Sequence, residues 1–229
     1  MLSIAQKTTD PIIQSLVHSF ISLANEITVP SIPNLSEMHI QSSFIHPLLR
    51  GVLKPLPSLV PHCSNKFAFE NDHHIMHCRP DYRVDMYDQT GIYDGTNLFG
   101  ELKPADATVD DVTRDFHKCM CLGKVALKCF NYDFSMTFYS VGTSVHFYLH
   151  HSLNSHITYA LHLHSFQIFT THDTFSNYAS LVPILYRLSQ IFRLFCTSQP
   201  KNYIPLSSTV PYPAIKEAIR SNKKRKLGH

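Results

Sequence analysis

Two carboxylates and a lysine stand out between Arg79 and Pro104, in Arg79-Pro80-Asp81-Tyr82-Arg83-Val84-Asp85 and in Gly100-Glu101-Leu102-Lys103-Pro104. Each run is short and partly apolar, and Asp88-Gln-Thr-Gly91 and Asp94-Gly95 between them supply residues that tolerate turn conformations. The pattern predicts a hairpin. Side chains two apart share a strand face, which puts Asp81, Arg83 and Asp85 on one face of the first strand. Phe99, Glu101 and Lys103 share a face of the second, opposite Leu98, Gly100 and Leu102. Paired strands would bring Asp81, Glu101 and Lys103 to one patch. Carboxylate oxygens suit a hard divalent cation, and a lysine beside them can steady charge developing on a phosphate. The alternative is a surface hairpin whose charges are solvated or weakly paired.

The flanking elements must position that patch. Residues 10–26 carry Ile12, Ile13, Leu16, Val17, Phe20 and Leu23 at helical spacing, with Asp10 as N-cap and Pro11 at the first helical position. A second helix is expected from Asn34 or Ser36 to Leu53, bent or weakened at Pro47. Three prolines make residues 54–61 a loop, and 66–70 and 75–78 read as short strands. After the hairpin, Asp106 or Thr108 can cap a helix over 109–129, with Val112, Phe116, Cys119, Met120, Gly123 and Leu127 as its apolar stripe. Strands follow at 134–139, 144–151 and 157–169, then a helix over 175–196. The order helix, strands, helix, strands, helix predicts an α/β fold, a mixed central sheet flanked by helices. The expected organisation is a helical extension (1–33), a core domain (34–197) and a Pro-rich, basic tail (198–229).

At 229 residues, 44% hydrophobic and 16% charged, with a formal net charge of +3, the chain can bury a substantial core and tolerates a nucleic-acid partner without requiring one. No apolar run reaches bilayer length and residues 1–7 lack a signal-peptide layout, so an intracellular protein with no membrane partner is expected. Six cysteines fit free thiols there. His73, His74, His77 and Cys78 invite a zinc reading, but their spacing matches no strong finger pattern. His146, His150, His151, His156, His162 and His164 are read as the wetter side of a sheet. Lys223, Lys224, Arg225 and Lys226 form a basic run that fits nuclear import or a phosphate-binding tail. Oligomeric state is not legible.

Pro80-Asp81, an intervening hairpin and Glu101-Leu102-Lys103, with a helix before and another directly after, resemble the signature of the PD-(D/E)XK nuclease-like superfamily. Leu35-Ser-Glu-Met-His39, Phe44-Ile-His-Pro-Leu-Leu49, Arg79-Pro-Asp81, Phe99-Gly-Glu-Leu-Lys-Pro104 and Met136-Thr-Phe-Tyr139 are similar to uncharacterised fungal proteins of this type, over about residues 34–170. The resemblance implies a restriction-endonuclease-like αβββαβ core, here with extra C-terminal strands and a helix. It implies Asp81 and Glu101 as ligands of Mg²⁺ or Mn²⁺, Lys103 as the group that orients water or steadies phosphate, and Glu37 as the helix acid of the site. Many members of the superfamily lack activity, so the likeness speaks first to fold.

Several of these residues have second readings. Glu37 can close a capping box over Asn34-Leu-Ser-Glu37, and Asp85 can replace Asp81 as ligand. Lys118 and Lys124 can touch a phosphodiester backbone or merely line a solvated helix face. Three functions compete: a Mg²⁺- or Mn²⁺-dependent nuclease acting on DNA in preference to RNA, a nuclease-like domain without catalysis that binds nucleic acid or protein, and a plain interaction domain in which the hairpin charges carry no chemistry.

Overall fold

A computed structural model describes residues 8–27, 35–53, 58–64, 79–154 and 157–197. Six strands form one sheet in sequence order: β1 (Leu59–Cys63), β2 (Tyr82–Tyr87), β3 (Tyr93–Lys103), β4 (Phe134–Val141), β5 (Ser144–Ser152) and β6 (Thr158–Gln167). Only β3 and β4 run parallel, and helix α3 (Val109–Cys129) connects them. Helices α1 (Pro11–Glu26), α2 (Glu37 to Leu53) and α5 (Tyr178–Ile191) cover the opposite sheet face; a short α4 (His172–Phe175) precedes α5. This is the expected mixed sheet between helices.

The two faces of β3 explain the layering. Leu98 and Leu102 join Ile12, Leu16, Phe20, Phe44, Leu48, Phe138, Phe147 and Leu185 in the main core. Phe99, on the other face, packs with Leu122 and Ala126 of α3. Asp10 caps α1, its Oδ1 accepting from the Ile12 and Ile13 amides at 2.8 and 3.2 Å, while its Oδ2 accepts from the Tyr186 hydroxyl at 2.8 Å. Thr108 caps α3 by accepting from the Asp111 amide.

Helix α2 is built of three pieces: an α turn (Glu37–His39), a π segment (Ile40–Ile45) and an α segment (His46–Leu53). The wide turns sit just before Pro47, and the His46 amide bonds the Gln41 carbonyl five residues back. The extra residue turns Gln41 inward, where its amide donates to the carbonyl of Asp81. Ser36, rather than Asn34, is the N-cap; Asn34 lies outside the described residues. Glu37 is therefore the first helical residue, not the third as a capping box needs, and its carboxylate turns to Lys103 instead.

Three expectations are corrected. Residues 59–61, expected in the loop, belong to strand β1: among the described strands β1 lies at the sheet edge and pairs with β2, a place where Pro61 can sit without breaking a central ladder. Asp94 and Gly95 belong to β3 rather than to the turn, with Gly95 at φ +144° beside the rings of Phe130 and Tyr132. His150 is buried, not wet, because α3 lies over that part of β5. Its ring meets Thr137 Oγ1 at 2.8 Å and occupies the space a Cβ on Gly123 would need. The expected strands at 66–70 and 75–78, the His73–Cys78 group and His156 lie outside the described residues.

Burial pushes the His150 imidazole down to about 4 from 6.5. As pH falls below 6.5 the unfolded chain takes up this proton first, so the stability held by neutral His150 is full above 6.5 and lost progressively toward 4. The loss approaches about 3 kcal/mol. Urea midpoints measured across this range should show the decline, and His150→Gln should flatten it.

Candidate metal site

Strand pairing ends at Tyr82↔Gly100, so the Leu102 amide has no β2 carbonyl to meet. Asp81, just before β2, fills that gap: its Oδ2 accepts from the Leu102 amide at 2.8 Å. Its backbone is held on three sides, by the Gly100 carbonyl, the Ser64 amide and Gln41. Pro80 before it has no amide hydrogen to satisfy. The Pro-Asp pair thus seals the end of the hairpin and fixes the carboxylate beside β3.

Glu101, one residue before Leu102, points from the α3-facing side of β3 and is fully buried. Lys118 of α3 donates to its Oε2 at 2.8 Å and to the Arg79 carbonyl at 2.6 Å. Glu101 Oε1 is buried and has no hydrogen-bond partner among the described residues. Asp115, one turn before Lys118, completes a cluster in which oxygens of Asp81, Glu101 and Asp115 all lie within 4.8 Å of one another. Lys103 bonds Asp115 Oδ2 at 2.8 Å and lies 3.7 Å from Glu37 Oε2.

This set of carboxylates is able to coordinate a divalent cation. All three donors are hard oxygens, and octahedral Mg²⁺ at about 2.1 Å spaces its ligand oxygens ~3–4 Å apart. The orphaned Oε1 is the strongest mark of fit, since a buried carboxylate oxygen without a partner is costly. Charge agrees: with all four carboxylates ionised, Asp81, Glu101, Asp115 and Glu37 against Lys103 and Lys118 leave two negative charges, which one such ion would balance.

Burial, reinforced by the Asp81 charge, pushes Glu101 up to about 9 despite Lys118. Without a cation it therefore holds a proton at neutral pH. Burial also raises Asp81, opposed by the Leu102 amide and the two lysines. Glu37 is raised by burial and then by Asp81. Burial alone would lower Lys103, but its bond to Asp115 and the surrounding carboxylates hold it above its usual value.

The structure brings together Asp81, Glu101 and Lys103, as the hairpin argument expects, and sets Glu37, which only the resemblance implied, beside Lys103. It adds Asp115, which that argument missed. The available signal was Asp115-x-x-Lys118, a spacing that puts both side chains on one face of a capped helix. Lys118 lies inside the cluster rather than on a solvated face. Lys124, six residues or about 9 Å further along α3, is not part of it. Asp85 is not an alternative ligand: it is buried among His62, Arg83 and Thr96, which bond it at 2.8, 3.0 and 2.5 Å. Lys223–Lys226 lie outside the described residues. Among the described residues no helix is long and apolar enough to cross a membrane. No family model matches the chain, and no curated protein or solved structure is significantly similar to it.

Proposed function

We propose that the chain is a metal-dependent phosphodiesterase of the PD-(D/E)XK nuclease-like kind, cleaving DNA in preference to RNA. The observation that carries this reading is the convergence of Asp81 and Glu101, with Asp115, around the unpartnered Glu101 Oε1. Asp81, Glu101 and Asp115 would hold Mg²⁺ or Mn²⁺, with Glu37 within reach through Lys103. Bound there, the cation supplies a lowered pKa for water and polarisation of the scissile phosphate. Lys103, oriented by Asp115 and Glu37, positions the attacking water and offsets charge on the phosphate oxygens. Lys118 holds the Glu101 carboxylate in place through Oε2, leaving Oε1 for the ion. Lys124 provides a backbone phosphate contact, and the basic run Lys223–Lys226 directs the protein to the nucleus.

One observation favours the second reading, a non-catalytic binding module: both lysines already neutralise carboxylates of the cluster. The test is cleavage of single- and double-stranded DNA and RNA with Mg²⁺ or Mn²⁺. Lys103→Ala should lower the rate by about 10²–10³ while circular dichroism stays that of the parent. A wild-type protein inert on every substrate yet still binding nucleic acid would establish the module instead.

A further inference from the structure

The main-core side of the sheet carries a second polar feature, unrelated in charge to the carboxylates. Helices α1 and α2 approach so closely that a Cβ on Gly51 would stand 2.4 Å from Ser19 Cβ. Beside this contact a cavity of about 170 Å³ opens between them, lined by Ser15, His18, His46 and Arg50 among others, none of them acidic. That volume is below the ~300 Å³ of pockets for drug-sized ligands and suits a small polar group.

Some of its donors are unspent. Ser15 is 7% exposed, yet its hydroxyl has no hydrogen-bond partner among the described residues. By contrast Ser19 donates to the Pro47 carbonyl and Ser22 to the His18 carbonyl, so those hydroxyls are engaged. The Tyr82 hydroxyl is fully buried and meets His46 Nδ1 at 2.9 Å. With the buried phenol donating to this nitrogen, the ring proton stands on Nε2 and His46 is a donor on its remaining side. Arg50 is exposed at the rim and adds a fixed positive fork. A guanidinium, an imidazole N–H and an orphaned hydroxyl, with no carboxylate between them, match the several acceptor oxygens of a tetrahedral oxyanion.

We propose that this cavity binds a phosphate group, held by Arg50, His46 and Ser15. The site stands whether or not the carboxylate cluster cleaves anything, because it shares no residue with that cluster. Its ligand is either free phosphate or the terminal phosphate of a nucleotide strand; the chemistry is the same.

The test titrates the full-length chain with inorganic phosphate in EDTA at constant ionic strength, read by calorimetry and by the imidazole NMR signals. Saturable binding with a Kd of about 1 mM or tighter is expected, with chloride giving none. Arg50→Gln, at an exposed position, should weaken it about tenfold or more, and Ser15→Ala about threefold to tenfold. Glu101→Gln should bind phosphate as the wild type does. Competition by a 5′-phosphorylated dinucleotide but not by its 5′-hydroxyl form would assign the site to strand ends. Competition by neither would assign it to the free anion. No saturation by phosphate, or binding unchanged in both Arg50→Gln and Ser15→Ala, would overturn the proposal.

Discussion

Glu101→Gln is expected to abolish divalent-cation binding and, in the same protein, to raise cation-free stability at alkaline pH. The two effects have one origin. Glu101 is fully buried, one of its oxygens has no partner, and burial with the nearby Asp81 charge pushes it up to about 9. Its ordinary value is 4.5, so the folded state binds this proton more tightly than the unfolded chain. The stabilisation is full below 4.5 and lost as pH rises toward 9. Thermal melts of the cation-free wild type should therefore fall in Tm across that window, and those of the glutamine variant should not.

Adding Mg²⁺ reverses the comparison. The wild type gains stability by mass action, RT ln(1 + [L]/Kd), and the variant gains none. Because the ion displaces the Glu101 proton, apparent affinity should rise with pH, and calorimetry in buffers of different ionisation enthalpy should detect proton release. On the proposed phosphodiesterase reading, cleavage by the variant should fall by about 10³. Equal Mg²⁺-induced Tm shifts in both proteins would remove Glu101 from the site.

The second large effect is expected at Gly100→Ala. An added Cβ would stand 2.1 Å from ring carbons of Phe138, which is fully buried and packs edge-on against Tyr82. Gly100 pairs with Tyr82 on one side and Phe138 on the other, at the point where β2, β3 and β4 run side by side. The ring is buried between those of Tyr82 and Phe147, so overpacking should cost about 3 kcal/mol in chemical denaturation. Phe138→Leu on the same background should recover part of it, since the smaller side chain vacates the clash. The displacement also falls between Asp81 and Glu101, so Mg²⁺ affinity should drop even in protein that folds. An unchanged denaturation midpoint would show that β3 can shift at no expense.

The hairpin, the capped helix after it and the convergence of Asp81 with Glu101 were legible because they depend on local rules. Alternation fixes the face of Glu101, and Thr108 three residues before Asp111 fixes the start of α3. What escaped depends on contacts between elements. Three prolines in residues 54–61 read as loop, yet an edge position lets Pro61 sit in β1. The alternation of β5 correctly separates His150 from Phe147 and Leu149, but cannot say that a helix covers the histidine's side. Asp115 and Lys118 look like surface charges until α3 docks over β3. Asp85 lies within β2 while Asp81 stands just before it, and the register to β1 and β3 hands Asp85 to His62 and Thr96.

The nesting of the His150 ring against Gly123 has a consequence at the other flank of α3. That ring is a peg that sets where the helix rests, and the same helix carries Asp115 and Lys118 to the carboxylates. An imidazolium at the peg demands water, which can reach it only if the helix lifts. Mild acid should thus dismantle the ion-binding corner from behind, before the rest of the sheet lets go.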